Sequence, residues 1–212
     1  MKQVVILGSG GHAKVVIEIL RERADVEIVG CLAPEPGDRL VCGVPVVGED
    51  LALPRLRDAG VAHSFVALGD NQLRSWMISY VISHGLKLIN AISAHAVVSP
   101  SVNLGAGVAV MAGAIINSEA TLGDGVIVNT GATIDHDCVL GPMSHVAPGS
   151  NLAGCVRIGE GAFLGTGCRV IPGVRVGDWS IVGAGATVLT DIPDHVVCVG
   201  VPARIIKKVS IR

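Results

Sequence analysis

The sequence predicts a small parallel α/β domain followed by a parallel β-helix. Three observations carry this. Every sixth residue from Val98 to Val188 is Leu, Ile or Val, sixteen in a row. The residue two places before each is small or a valine, as at Ala114, Ala120, Ala132, Cys138, Ser144, Ser150 and Ala186. Ahead of this repeat, short apolar runs alternate with segments of helical periodicity. A period of six does not suit an α-helix, whose apolar stripe recurs at about 3.6 residues. It suits a short strand plus a corner. The aliphatic side chain points to a narrow axis, the small residue makes room for it, and Gly or Asn takes the corner. Three hexads make one coil of roughly 18 residues, so the run spells about five coils, which bury a continuous core by stacking.

Read in order, Gln3–Leu7 is an apolar strand, Gly8-Ser9-Gly10-Gly11 a turn, and His12–Arg23 a helix. Val26–Gly30 is a second strand, Val44–Val47 a short extended piece, and Asp50–Ala59 a helix. Ser64–Leu68 is a strand ending at Gly69-Asp70-Asn71, and Gln72–His84 is a helix. Strands alternating with helices predict a small Rossmann-like parallel sheet over residues 1–90. Ile89–Pro100 links it to the β-helix, and the second domain is expected over 91–212.

Composition narrows the function. The chain is 50% hydrophobic but only 2% aromatic, which a narrow axis filled with Val, Ile and Ala explains. Net charge is −2 with no basic tract, so nucleic acid is not an expected partner. No apolar run is long enough to span a bilayer, so no membrane insertion is expected. Met1-Lys2 runs straight into the first strand without the form of a signal peptide, and a cytoplasmic location is expected. The six cysteines show no CxxC spacing. Cys138 and Cys168 occupy the small-residue position of the repeat, and all six are read as reduced structural residues.

Gly8-x-Gly10-x-x-Ala13 after a strand matches a relaxed dinucleotide-binding fingerprint. A dinucleotide site would want an acid at the end of the second strand. Here that end reads Cys31-Leu32-Ala33-Pro34, with Glu35 late. A nucleotide-sugar phosphate on backbone amides at the helix N-terminus fits better. Of seven histidines, His63, His84 and His195 read as bystanders. His136, flanked by Asp135 and Asp137, sits two places past inward-facing Ile134 and so points outward near a corner. A carboxylate beside an imidazole orients it and stabilises its charged form, which suits a general base. His145 follows half a coil later, just before inward-facing Val146. No ligand set for a metal is complete, and none is required.

The motifs Gly8-Ser-Gly-Gly-His12, Ala67-Leu-Gly-Asp-Asn71, Asn129–Cys138, Ser144-His145-Val146-Ala147-Pro148 and Gly200-Val-Pro-Ala203 resemble the hexapeptide-repeat N-acetyltransferases of nucleotide-linked aminosugars. These are the perosamine and bacillosamine types, with sialic acid O-acetyltransferases as relatives. The resemblance covers nearly the whole chain, and Pro45-Val-Val-Gly48 leans toward the perosamine type. It implies a left-handed β-helix and a homotrimer with active sites between neighbours. It implies that the N-terminal domain holds the nucleotide-sugar, with Gly10, Gly11 and His12 on phosphate or base and Gly69 and Asn71 lining the same pocket. His136 maps to the catalytic base and Asp137 to its supporting acid. Asn129 maps to the substrate side of the active-site wall. His145, Gly154, Thr166 and Ala184 map to the acetyl-CoA side, with the Gly154 N–H as oxyanion donor. Relatives carry an acidic and an aromatic residue before the Ser-His pair, where this chain has Pro142 and Met143.

The expected reaction is acetyl transfer from acetyl-CoA to the 4-amino group of a nucleotide-linked 4-amino-4,6-dideoxysugar, with no covalent intermediate because a thioester is already activated. O-acetylation of a sialic acid and a non-catalytic β-helix binding module are the alternatives.

Overall fold

The computed structural model describes residues 1–34 and 39–209. Glu35 lies outside them. The chain divides into two compact units, 1–94 and 95–212.

The first unit is built on a six-stranded sheet. Its strands are β1 (Lys2–Leu7), β2 (Val26–Leu32), β3 (Leu40–Val41), β4 (Val44–Gly48), β5 (His63–Val66) and β6 (Lys87–Leu88), in the order β3-β4-β2-β1-β5-β6. All neighbours are parallel except β3 and β4, which form a hairpin. The hairpin was not expected, because its turn is Cys42-Gly43, with φ 47° and 76°, rather than a recognisable Asn-Gly. Val4, Val5, Ile6 and Leu7 are fully buried, as the continuous apolar run of a central parallel strand requires. Helix α1 (Gly11–Arg21) buries Ala13, Val16, Ile17 and Leu20, the spacing of one helical face. The helix expected over Asp50–Ala59 splits into a 3₁₀ turn, Asp50–Ala52, and a short α2 (Leu53–Asp58). Pro54 stands in the first turn of α2, where its missing N–H costs nothing but where it ends whatever helix precedes. Helix α3 (Asn71–Ser83) is capped by Asp70, whose carboxylate accepts the Leu73 N–H at 2.8 Å.

The second unit is a parallel β-helix whose strands are two residues long. Each pairs with the strand one coil away, as Ile115–Ile116 does with Thr133–Ile134. The strands gather into three sheets, the faces of a prism. The second residue of each strand is the aliphatic of the hexad, and from Val110 to Val188 every one is buried. Each contributes about 1.5–3 kcal/mol of burial. Val98 and Leu104 are only half-buried, being in the first coil of the stack. The small positions behave as read: Ala114, Ala120, Ala132, Cys138, Ser144, Ser150 and Ala186 are fully buried. The Cys138 thiol donates to the Ala153 carbonyl at 3.2 Å, and the Ser150 hydroxyl to Gly165 at 2.9 Å. The corners are turned by residues with positive φ, mostly glycine. A closing hairpin, Val196–Val199 with Arg204–Lys208, lies beyond the last hexad.

Candidate active site

His136 stands on the corner that follows the strand Thr133–Ile134. Its Nδ1 is 2.7 Å from Asp137 Oδ2, and both side chains are 58% exposed. The Asp135 carboxylate accepts the His136 backbone N–H at 2.8 Å and the Asn117 amide at 3.0 Å, which ties the corner to the coil before it. The next coil is tied in by the Cys155 N–H, which donates to the His136 carbonyl at 2.9 Å. Asp137 has φ +60°, a conformation that costs a non-glycine residue about 1–2 kcal/mol. Many other corners use glycine there, and here the place goes to a carboxylate that reaches the imidazole.

One coil on, Gly154 lies beneath the ring. A Cβ at Gly154 would sit 2.6 Å from both Cε1 and Nε2 of His136, so the position admits only hydrogen while the ring stays where it is. The Gly154 N–H donates to no acceptor among the described residues. His136, Asp137 and Gly154 therefore form one compact group: an exposed imidazole, the carboxylate on its Nδ1, and a backbone N–H beside it. Cys155, read as structural filler, is exposed at the same corner, and its sulfur lies with donor atoms of His136 and Asp137 inside 4.8 Å. Among the described residues these three are the one set of donors close enough to hold a metal ion.

His145 and Asn129 are brought together elsewhere. The His145 Nε2 is 3.1 Å from the Asn129 amide, and its ring meets Phe163 edge-on at 5.1 Å. They occupy a different edge of the prism from His136, on either side of the face carrying Thr133–Ile134. Thr166 and Ala184 follow one another up that edge, one coil apart. Both are exposed, and neither backbone N–H is engaged among the described residues. Two such donors in a column suit the carbonyls of an extended ligand chain.

In the first unit, β1, β2, β4 and β5 run parallel and end at one edge of the sheet. Gly8 is demanded by the fold there. It has φ +114°, and a Cβ would lie 2.8 Å from the Ala67 carbonyl oxygen. Gly10, Gly11 and Gly69 are different, since a Cβ at any of them would meet nothing within 4 Å. Packing does not ask for glycine at these three, which leaves open ground above the N-terminus of α1. Among the described residues that terminus has no side-chain cap, and its first turn holds no acidic residue, so its N–H groups and positive dipole end are open to an anion.

His12 sits in this first turn. Burial, and then the charge of Arg74, lower its pKa to about 4, so it is neutral near pH 7. Its Nε2 is buried and has no hydrogen-bond partner among the described residues. Arg74, which the sequence reading passed over, is 1% exposed. Its guanidinium donates to the carbonyls of Leu68 at 3.0 Å and Gly69 at 3.3 Å, and to Asn71 Oδ1 at 2.9 Å. Asn71 is thus turned inward at 9% exposure, where it helps hold the Gly69 loop.

Residues 3–81 match the family described as the PglD N-terminal domain, and 155–190 match the bacterial transferase hexapeptide (six repeats). PerB from Caulobacter crescentus, solved with CoA and GDP-perosamine, is 55% identical over 96% of each chain with a TM-score of 0.92. The chain belongs to the nucleotide-aminosugar N-acetyltransferases of the hexapeptide-repeat class. A second structure of perosamine N-acetyltransferase from that organism has a histidine replaced by alanine and also holds CoA and GDP-perosamine. It is 54% identical over 97% of each chain, with a TM-score of 0.94. The acetyltransferase domain of PglB from Neisseria gonorrhoeae, solved with acetyl coenzyme A, is 37% identical over 97% of this chain and 99% of that one, with a TM-score of 0.92. No curated protein matches the chain. The coil of this acetyltransferase is accordingly a left-handed one.

The electrostatics of this acetyltransferase's corner set a pH dependence. The Asp137 hydrogen bond, and then the charge of Asp135, raise the His136 pKa above its ordinary 6.5. A general base works as the neutral ring, so if His136 is that base, kcat/KM is expected to fall as pH falls through the raised value. Asp137→Asn keeps a residue that tolerates positive φ but removes the largest raising cause. The acid limb of the profile should then move to lower pH, and kcat on the plateau should drop because the ring is less firmly aimed. A limb that stays in place would show that Asp137 does not set the proton affinity of the base.

Proposed function

We propose that the protein moves the acetyl group of acetyl-CoA to the 4-amino group of a nucleotide-linked 4-amino-4,6-dideoxysugar, GDP-perosamine first among candidates, in surface polysaccharide or glycan synthesis. The observation that carries this is the His136–Asp137 pair, aimed outward and seated over a glycine with an unused N–H. The amine attacks the thioester carbonyl, forming the C–N bond, and its proton passes to His136 Nε2. The Gly154 N–H stabilises the oxyanion of the tetrahedral intermediate. When the C–S bond breaks, His136 returns the proton to the CoA sulfur. Acetyl-CoA is held along the column of Thr166 and Ala184, with His145 and Asn129 on the adjoining wall. Much of the acceleration comes from holding two substrates in attack geometry. The match to PerB, solved with both ligands, supports an amine acceptor over the hydroxyl of a sialic acid.

His136 and His145 belong to one site in this reading, yet stand on different edges of a single prism. A threefold ring of chains, one edge facing the next chain's, brings them together. Sedimentation equilibrium should therefore give three times 21.6 kDa. A monomer at micromolar concentration would count against both the trimer and the shared site. The six unpaired cysteines suit a cytoplasmic enzyme. Among the described residues no helix is long and apolar enough to cross a membrane.

The N-terminal unit is proposed to read the nucleotide. Gly11→Val tests this, because a Cβ there meets nothing within 4 Å among the described residues, so the branched side chain is set to crowd bound phosphate rather than the fold. The aminosugar KM should rise roughly tenfold or more, while acetyl-CoA affinity, the trimer and Tm stay as they were. Unchanged binding of the nucleotide-sugar by calorimetry would remove this turn from the site. The acceptor itself is identified by mass spectrometry after incubation with acetyl-CoA and a panel of GDP-, UDP- and dTDP-linked 4-aminosugars.

A further inference from the structure

We infer that His136, Asp137 and Cys155 form a binding site for a thiol-seeking divalent cation of the Zn²⁺ class, and that filling it stops acetyl transfer. The site rests on the geometry of the corner; its effect on turnover rests on His136 being the base, as proposed above.

Cys155 lies one full coil after Asp137, so the two hold the same place on stacked corners. The backbone repeats as well, with φ +60° at Asp137 and +62° at Cys155. The next coil fills that place with Gly173, whose N–H donates to the Gly154 carbonyl at 3.0 Å. The Cys155 N–H donates in turn to the His136 carbonyl at 2.9 Å, so backbone bonds fix both corners before any ion arrives. From this frame an imidazole nitrogen, a carboxylate oxygen and a sulfur are offered within 4.8 Å of one another. All three residues are exposed, so an ion reaches them without the coil opening.

The hexad does not account for this cysteine. Cys138 and Cys168 fill the inward small position and are fully buried, whereas Cys155 stands on the corner beside the one pair of groups able to share an ion with it. One nitrogen, one oxygen and one sulfur are three ligands of a tetrahedral Zn²⁺ site, with water in the fourth place. Sulfur and imidazole select Zn²⁺ and Cd²⁺ over Mg²⁺ and Ca²⁺, which want oxygen alone. An imidazole bound to an ion through either nitrogen keeps its proton on the other, and no lone pair is left. His136 then cannot take a proton from an amine, and the ion acts as an inhibitor rather than a cofactor.

The test uses the full-length protein freed of metal with a chelator. Cd²⁺ is titrated in and followed by its thiolate charge-transfer absorption, with Zn²⁺ as competitor and Mg²⁺ as control. Transfer is followed by mass spectrometry of the acetylated sugar, because the thiol of released CoA itself binds Zn²⁺. One Cd²⁺ should bind per chain with a thiolate band, and Cys155→Ser should abolish the band. His136→Ala should keep the thiol but weaken Cd²⁺ by roughly tenfold or more. Micromolar Zn²⁺ should lower the wild-type rate at least tenfold, EDTA should restore it, and Mg²⁺ should do nothing. Cys155→Ser should keep the basal rate and need roughly tenfold more Zn²⁺ for equal inhibition. Cd²⁺ affinity unmoved by either substitution places the ion elsewhere and overturns the inference, while the proposed function stands. Equal Zn²⁺ sensitivity of wild type and Cys155→Ser overturns it too. Zn²⁺ bound through Cys155 with full turnover overturns the inhibition, and the reading of His136 as the base falls with it.

Discussion

Replacing His136 with alanine should lower kcat/KM for the aminosugar by roughly 10²–10⁴-fold, the range for loss of a positioned general base. The ring is exposed, lies over Gly154, and buries little that the fold depends on. Tm and the acetyl-CoA Kd should accordingly barely move. The pH profile separates a base from a mere wall residue. In the wild type the acid limb reports the raised His136 pKa; in His136→Ala that limb should vanish and leave a shallow rise set by the free amine of the acceptor. An amine is a better nucleophile than a hydroxyl once deprotonated, so high pH should recover part of the lost rate. Turnover near wild type at neutral pH with saturating acceptor would show that His136 only positions.

The β-helix was legible because the hexad is a direct image of the structure. Each aliphatic is the second residue of a strand, and each small residue sits against the same axis. The same arithmetic holds the deeper detail. One coil separates His136 from Gly154, so the glycine beneath the ring could be counted out from the repeat. Cys155 was also readable by phase: Cys138 and Cys168 fall two places before an aliphatic, whereas Cys155 falls three before Ile158, on a corner. Its exposure follows from that offset. The first unit was legible in outline only, because tertiary contacts overrule local signals there. Arg74 occupies a position on α3 that an apolar residue would fill by periodicity, beside buried Met77, Ile78 and Val81. Nothing local announces that the loop carbonyls of Leu68 and Gly69 will satisfy it. The β3–β4 hairpin and the closing strands are likewise products of pairing partners, and two-residue strands carry too little pattern to be seen alone.

Gly154→Ala should remove most of the activity, for a reason confined to the corner. The backbone at Gly154 is not in the left-handed region, so alanine fits its conformation. The single added methyl would lie 2.6 Å from His136 Nε2 and Cε1, closer than Cβ atoms sit in folded proteins, and a tight 3.2 Å from Cδ2. Something must yield, and the exposed ring, held by one hydrogen bond to Asp137, yields more easily than a coil locked above and below by backbone bonds. In the proposed mechanism the ring would then swing away from the acceptor, and the methyl would also crowd the space in which the oxyanion is to meet the Gly154 N–H. Loss of an oxyanion donor alone costs about 10²–10³ in kcat. We expect a fall of that order, with Tm changed by no more than a few degrees and acetyl-CoA still bound. The double variant with His136→Ala decides how the effect is transmitted. If the methyl acts by displacing the base, the two losses will not add, because the ring is already gone. If it acts on the oxyanion, Gly154→Ala will still cost its share in the His136→Ala background. An alanine variant with wild-type kcat and an unshifted acid limb would show that neither the ring's seat nor the N–H beside it takes part in the reaction.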